Sequence, residues 1–448
     1  MEAPSVGAAS RRHRRGARRV SAAAARRTLG GLLLAVGAAA RCAWRGAGGL
    51  AYVPGNPQLA LPPRTASIFG RRSGLLQLGS AGLVGAGGVP LAWADAAQEF
   101  KSSWVAKEGT SFLTSFSEES YGAMRDDARR TPAFIKAIRE RVSAQPGLTM
   151  LDIGTGPFAL FALVAARAGA KKVYAIEANP EAVARARAFV EKATDIPPGT
   201  IEVIEGFTTA LQLPEKVDLV CAEIIGAIAS EENCIATIRD AQTRFLKEPN
   251  NPESYIPVGA QTFAAPVTYA LHPVLAPPRF EKLKGMPLRL NCRDETLQLL
   301  AEPQMIEDIQ FSSPSLPAPG AWKQNPWTFK VTSERLEANN KKYFNALVKE
   351  PMKEDEAAPI AKETAYSFSG IAFWPKLILN TAGTIVVESR GPNGEHQKSH
   401  WQTLMSLVTP IPVPIKAGDS IVLTEQVDLQ RDILSPGKYD LNVKLLSV

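Results

Sequence analysis

LDIGTGPFALFALVAARAGAKKVYAIE, Leu151–Glu177, decides the fold. An apolar, β-branched run, Thr149–Ile153, leads into a glycine turn at Gly154-Thr155-Gly156. An Ala/Leu/Phe-rich helical run follows to about Arg167, then a second strand, Val173–Ile176, that ends in Glu177. Strand, glycine turn, helix, strand and acid make a βαβ nucleotide-binding unit. The glycines let a ligand approach the backbone at the helix N-terminus, and Glu177 is placed to accept hydrogen bonds from two ribose hydroxyls.

The same turn narrows the ligand. A dinucleotide site usually carries a third glycine so that a pyrophosphate can sit on the helix. Here the run continues as Pro157-Phe158, with no further glycine in the first helical turns. Asp152, just before the turn, suits an amino-bearing or cationic ligand better than a phosphate. S-adenosylmethionine satisfies both points.

Charge is distributed unevenly. Residues 1–94 hold thirteen Arg, no Lys and one acid, about +12; taking that from the formal +7 leaves about −5 for residues 95–448. A mildly acidic globular part argues against a phosphate-binding surface, so no nucleic-acid partner is expected, and it admits a basic substrate. The cysteines Cys42, Cys221, Cys234 and Cys292 have no metal-ligand spacing and no disulfide framework, and no metal site is expected.

Residues 1–97 read as a leader. An Arg/Ala/Ser run, Arg11–Arg27, precedes twelve apolar residues, Leu29–Ala40, too few to span a bilayer. An acid-free Arg/Pro/Ala stretch follows, then Arg71-Arg72, a second apolar run Leu75–Val89, and a small-residue cleavage pattern at Ala92–Ala96. Together these parts resemble the layered leader of a thylakoid-lumen protein in an alga with complex plastids. That implies plastid targeting, removal of the leader near Ala94–Gln98, and no stable membrane span afterwards; without targeting, the cytoplasm or nucleus is the alternative.

Along the rest of the chain, Thr131-Pro132 reads as N-cap and first residue of a helix to about Val142. Asn179-Pro180 caps a helix Glu181–Lys192, and further strands fall at Ile201–Glu205 and Val217–Cys221. Asp152, Glu177, Glu205 and Glu223 thus all sit at strand C-terminal ends, where open α/β sheets bind ligands. Glu223–Glu232, EIIGAIASEE, places two carboxylates nine residues apart around Gly226. Read alone, it is a strand-end acid plus acids at the start of a helix Asn233–Phe245. Beyond Phe245, short strands at Gln261–Tyr269, Gln304–Phe311, Trp327–Thr332, Ser367–Phe373, Thr384–Glu388, Trp401–Leu407, Ser420–Glu425 and Asp440–Leu446 predict a β-sandwich or barrel. Ser312–Asn325 and Lys349–Lys362 read as exposed loops.

With these residues in view, the chain from about Phe112 resembles the protein arginine methyltransferases. Leu151–Gly156 and Tyr174–Ala178 match that family's cofactor motifs, and Glu223 through Glu232 matches its double-glutamate loop. Ser399-His400-Trp401-Gln402 matches its Thr-His-Trp loop, and Met124, Asp127, Arg130 and Thr131 match its N-terminal motif. The resemblance implies an α/β fold: a Rossmann-like S-adenosylmethionine-dependent methyltransferase domain, residues 98–257, followed by a C-terminal β-barrel, residues 258–448. It implies S-adenosylmethionine as cofactor, an arginine-containing protein as substrate, and a homodimer as an available assembly.

The roles it implies are specific. Glu223 and Glu232 would clamp the guanidinium, a planar and permanently charged group suited to charge-assisted pairs with carboxylates. His400 with Asp127 would carry the released proton or hold the domains in register, and Met124 would crowd the methyl-transfer site. Asp152, Gly154 and Gly156 would seat the amino-acid part of the cofactor, Arg130 its carboxylate, and Glu177 its ribose. Phe158 replaces the family's third glycine, Tyr121 a frequent histidine, and Phe112 and Phe116 a pair of tyrosines. Thr209 replaces the acid that meets the adenine amine, leaving that contact to Glu205 or backbone. Met124 and the Ser399–Trp401 loop match the asymmetric-dimethylating branch. Two other readings use the same residues: a methyltransferase fold retained as a binding or scaffold protein, and a methyltransferase for another small basic acceptor.

Overall fold

Two β-structures, one parallel and one antiparallel, meet at the residues singled out above. The computed structural model describes residues 97–106, 116–283, 285–317, 320–323, 326–349, 352–391, 399–429 and 437–448, all within the unit Ala47–Val448. The leader readings on residues 1–96, and Phe112, lie outside the described residues.

In chain order the first half runs β1 (Gln98–Val105), α1 (Glu118–Arg125), α2 (Arg130–Ala144), β2 (Thr149–Ile153), α3 (Leu160–Arg167) and β3 (Lys172–Glu177). It continues with α4 (Pro180–Glu191), β4 (Ile201–Glu205), β5 (Leu219–Ala222), α5 (Cys234–Asp240) and β6 (Tyr255–Ile256). The parallel sheet has the order β4-β3-β2-β5-β6. The chain builds outward from β2 to β4 on one side and then resumes at β5 on the other. The order therefore reverses between β2 and β5, and the crevice beyond their C-terminal ends is where this architecture binds ligands. β2 and β5 are buried along their whole length, as central parallel strands are.

Helix α2 starts earlier than Thr131-Pro132 suggests. The Asp127 carboxylate accepts from the backbone N–H groups of Arg129 (2.9 Å) and Arg130 (2.8 Å), so the first turn is satisfied upstream and Thr131 lies inside the helix. Its Phe134 ring stacks on Phe161 of α3 at 4.9 Å, and both are buried. Each such ring contributes roughly 1.5–3 kcal/mol when fully removed from water. Asn179 caps α4 as read, accepting from Glu181 and Ala182 N–H. The helix expected over Asn233–Phe245 is α for Cys234–Asp240 only and ends in a π-helical turn, Ala241–Phe245.

The second half is the β-barrel domain: β7 (Gly259–Tyr269), β8 (Leu288–Asn291), β9 (Leu297–Leu299), β10 (Gln304–Gln310), β11 (Gly320–Lys323) and β12 (Trp327–Lys330). Helices α6 (Ser333–Lys349) and α7 (Glu354–Ala365) follow. The last strands are β13 (Ser367–Phe368), β14 (Gly370–Ile378), β15 (Val386–Glu388), β16 (Gln402–Leu407), β17 (Val413–Pro414), β18 (Ser420–Leu429) and β19 (Lys438–Leu446). Among the described residues, one sheet has the order β10-β7-β14-β16-β8, with β15 on β14 and β9 on β7. A second joins β1, β19, β18, β11 and β12, and β13 pairs with β17 in a two-stranded third.

Three expectations are corrected here. β1 pairs antiparallel with β19 from Gln98↔Leu445 to Val105↔Lys438, so the start of the presumed nucleotide-binding domain is built into the barrel. Trp104 secures it, stacked 5.4 Å from the ring of Tyr439. The stretch Lys349–Lys362, read as a loop, is mostly helix α7, because Ala357, Ala361 and Ala365 recur every four residues and bury a small-residue face. The stretch Ser312–Asn325, also read as a loop, contains strand β11. Among the described residues no helix is long and apolar enough to cross a membrane.

Candidate active site

The glycine turn is strained in the way its sequence requires. Gly154 and Gly156 have φ of 75° and 65°, in the left-handed region that favours glycine. A β-carbon at Gly154 would meet Ile224 at 3.4 Å, and one at Gly156 would meet the Tyr121 ring at 3.7 Å. The groups that face this turn are therefore Ile224 and Tyr121. Phe158 is instead drawn between the guanidinium groups of Arg125 (4.7 Å) and Arg185 (5.7 Å), edge-on to Phe189. Arg185 also bonds Glu118 at 3.0 Å, so Phe158 and Arg185 fasten both ends of α1 beside the turn.

Glu177 is held rigidly. One carboxylate oxygen accepts from Gly156 N–H and the other from Asn179 N–H, each at 2.9 Å. Each oxygen retains a lone pair, which is what a ribose diol needs. Burial pushes the Glu177 carboxyl up, against those backbone hydrogen bonds. Asp152 is buried at the end of β2, accepts from the Thr155 hydroxyl at 2.6 Å, and is raised to about 6, chiefly by burial. The Tyr121 phenol, near Glu177, is raised to about 12, again chiefly by burial, and stays a donor at neutral pH. The N–H groups of Gly154 and Gly156 are used internally, on Ile176 O and Glu177. Glu205 pairs in register with Glu177 but is exposed at the end of β4.

Across the crevice, the Glu223 side chain is nearly covered and bonded by Arg130, whose Nε (2.9 Å) and Nη2 both reach one carboxylate oxygen. The remaining nitrogen of Arg130, Nη1, donates to Met124 O at 3.2 Å, and the Thr131 hydroxyl donates to the same carbonyl at 2.8 Å. The Arg130 guanidinium also lies over Phe134 and Phe161, at 5.6 and 5.2 Å. The structure thus places Arg130 on Glu223, a contact the sequence did not suggest.

Asp127 meets His400 of the barrel through two bonds to one oxygen, from His400 N–H (2.7 Å) and from Nδ1 (2.9 Å). A carboxylate can only accept, so Nδ1 carries the proton and Nε2 is the free base. Burial alone would raise Asp127, but the hydrogen bonds from His400, Arg130 and Arg129 outweigh it and hold the carboxyl well below its usual range. Burial holds His400 below its ordinary value despite Asp127, so the imidazole is neutral at pH 7.

The loop between Glu223 and Glu232 is folded by tertiary contacts. Trp401 Nε1 donates to Ile225 O at 2.7 Å, and Ala229 N–H donates to the Thr262 hydroxyl at 2.8 Å. Glu231 pairs with Arg289 of β8, whose guanidinium the charges of Glu231 and Glu232 hold above its ordinary value although burial opposes them. Asn233, before α5, is left-handed and makes no side-chain cap, and the Ser230 hydroxyl bonds Glu307 and Tyr439. Ser230 and Glu231 therefore do not start a helix, which was the simpler reading of this stretch. Sequence reasoning missed Thr262, Arg289, Glu307 and Tyr439. Glu307 lies on a mixed strand, Gln304–Gln310, where Asp308 and the two glutamines gave no reason to single it out.

Residues 130–241 match the protein family described as ribosomal protein L11 methyltransferase (PrmA). Protein arginine N-methyltransferase PRMT10 of Arabidopsis thaliana is 39% identical over 124 residues, 28% of this chain and 31% of that protein. The match thus spans about a third of that relative's length. The solved structure of Arabidopsis thaliana protein arginine methyltransferase 10 aligns with a TM-score of 0.54 at 19% identity, over 73% of this chain and 93% of that one. The Trypanosoma brucei PRMT1 enzyme–prozyme heterotetrameric complex with AdoHcy aligns at 0.50 and 15% identity, over 72% and 97%. The chain carries a methyltransferase-type domain joined to a β-barrel, the two-domain fold of the protein arginine methyltransferases.

Proposed function

We propose that the protein transfers a methyl group from S-adenosylmethionine to a guanidinium nitrogen of protein arginine. The observation that carries this reading is the Glu223–Glu232 loop, which tertiary contacts from Trp401 and Thr262 shape on both sides of Gly226. In this reading the loop turns the carboxylates of Glu223 and Glu232 toward one cation, and a guanidinium is the cation that two carboxylates hold in a defined plane.

The residues of the crevice fit the cofactor. Glu177 offers two oriented oxygens to a diol, the φ > 0 glycines leave the turn open, and Asp152 offers a buried carboxylate to an ammonium group. Bound there, S-adenosylmethionine supplies an electrophilic methyl group on sulfur. Glu223 and Glu232 orient the acceptor nitrogen, and holding the reactants in line is most of the catalysis. The nitrogen loses one proton per methyl gained, and in this reading neutral His400, with Nδ1 on Asp127, takes it on Nε2. Arg130 answers a cofactor carboxylate by sharing its guanidinium between that group and Glu223. The test is methylation of an arginine-rich peptide against its lysine analogue. Transfer to the arginine peptide alone, with monomethyl and asymmetric dimethyl product, is expected; equal transfer to lysine overturns the assignment.

Cofactor binding should depend on pH through Asp152. Its carboxyl titrates at about 6, so it is charged at pH 7 and mostly neutral at pH 5. Affinity for S-adenosylmethionine should fall about tenfold between those values if the ammonium needs the charged form. Calorimetric titration giving the same affinity at both would remove Asp152 from the site.

The leader pattern supports plastid import followed by twin-arginine export. N-terminal sequencing of the native protein should begin near Ala94–Gln98; a chain retaining residues 1–70 overturns the import route.

A further inference from the structure

The barrel end of the double-glutamate loop rests on a carboxylate that has no part in the mechanism above. Glu307, on β10 where the pairing with β7 shifts register, is buried. One of its oxygens accepts from the Ser230 hydroxyl at 2.6 Å; the other accepts from the Thr262 hydroxyl and, at 3.4 Å, from Ser230 N–H. The Ser230 hydroxyl also meets the Tyr439 hydroxyl at 2.8 Å. Thr262 in turn accepts from Ala229 N–H. Two consecutive residues of the loop, Ala229 and Ser230, are thereby fixed to the barrel through Glu307 and Thr262.

The link to Glu232 is short. Ser230 O accepts from Asn233 N–H at 3.2 Å, which closes the turn that carries Glu231 and Glu232. Where Ser230 goes, that turn goes. We propose that Glu307 is a positioning residue for the acceptor site, holding Ser230 and through it the orientation of Glu232. The proposal rests on reading Glu223 and Glu232 as the guanidinium clamp.

The neighbourhood shows why an acid can serve here. Glu425 occupies an inward position on β18, in the otherwise apolar series Ile421, Leu423, Val427 and Leu429. Among the described residues, neither of its oxygens has a hydrogen-bond partner. Glu307 and Glu425 share one low-dielectric interior, and two such carboxylates do not both ionise. Glu307 has three donors and Glu425 has none, so the proton resides on Glu425 and Glu307 remains the acceptor. Burial pushes both carboxyls up, Glu425 well above the usual carboxylate range and Glu307 against the hydrogen bonds from Ser230 and Thr262, and only Glu307 has donors to offset it. The other charged groups around the cluster are Glu231 and its partner Arg289, with the Tyr439 phenol kept protonated by burial.

The test is Ser230→Ala, which removes one hydroxyl and adds no bulk, in the wild-type and Glu232→Gln backgrounds. Calorimetric affinity for S-adenosylmethionine should stay within about twofold, because the cofactor residues are untouched. The kcat for an arginine peptide should fall roughly tenfold, with a small change in KM, as expected for a misaligned catalytic group. In the Glu232→Gln background, Ser230→Ala should cost nothing further, because the carboxylate it positions is gone. Thr262→Val, close to isosteric, loosens Glu307 and Ala229 from the other side and should give the same kcat loss. A Ser230→Ala enzyme as fast as wild type, or losses that multiply in the double variant, overturns the assignment while leaving the clamp intact. A wild-type protein that binds cofactor yet transfers nothing to arginine removes the clamp reading itself, and the positioning role with it.

Discussion

Replacing Glu232 by glutamine is expected to lower turnover of an arginine peptide by about two to three orders of magnitude at unchanged cofactor affinity. Glutamine keeps the size and shape of the side chain but removes a charge and turns an acceptor oxygen into an NH2 donor. Opposite a guanidinium, which only donates, that puts donor against donor. In a site screened from water, losing one such interaction costs roughly 2–4 kcal/mol. The residues proposed for the cofactor, Asp152, Glu177 and Arg130, keep their own partners, Thr155, Gly156 with Asn179, and Glu223.

The competing account makes Glu232 an acid that favours the N-terminus of α5, worth roughly 0.3–1 kcal/mol of stability and nothing in turnover. The structure already weakens it, since α5 has no side-chain cap and its neighbours Ser230 and Glu231 are engaged on the barrel. Single-turnover kinetics with a calorimetric cofactor titration separate the two. A Glu232→Gln enzyme that methylates at the wild-type rate would leave a cofactor-binding fold without an arginine site.

What the sequence made legible is what local chemistry determines. β2, the glycine turn, α3 and β3 follow from residues that lie next to one another, and Asn179 caps α4 from one position away. The barrel strands show because alternation is visible strand by strand, as in Ile421-Leu423 and Leu441-Val443. What stayed hidden depends on partners far along the chain. β1 finds β19 across more than three hundred residues, and nothing in Gln98–Val105 points to Lys438–Leu446. Helix α7 was obscured by Pro359 and by charge, because its buried face is alanine rather than leucine. In the site, the acids at the strand ends were legible, whereas their partners were not. Ser230 and Glu231 resemble a helix start until Glu307, Tyr439 and Arg289 are brought beside them.

Asp127→Asn should impair stability and turnover together, and pH should separate the two effects. One Asp127 oxygen accepts from the N–H groups of Arg129 and Arg130, and the other from His400 N–H and Nδ1. Asparagine has one acceptor oxygen, so either the first turn of α2 or the His400 contact loses its partner, and its NH2 faces a donor. Hydrogen bonds to a buried charged group are worth roughly 1.5–3 kcal/mol, and a loss of that order is expected in denaturant unfolding at pH 7.

The sign of the pH dependence follows from the carboxyl's depressed value. Asp127 sits well below its ordinary 3.8 in the folded protein, so the unfolded chain takes up its proton first as pH falls. The stabilisation is therefore complete above about pH 4 and is lost as pH falls toward the folded value, so the gap between wild type and variant should narrow from pH 7 to pH 3. Turnover responds differently. Without the carboxylate, His400 is no longer fixed with Nδ1 protonated and Nε2 free, and loss of a positioned base costs roughly 10²–10⁴ in rate. That loss should persist across the neutral range, where the stability gap is constant, and should appear in kcat rather than in cofactor affinity. A variant as stable as wild type at pH 7 would mean that the four hydrogen bonds are not what anchors α2 to the barrel. One that is destabilised but fully active would make the Asp127–His400 pair a fastening between domains and move the proton acceptor elsewhere.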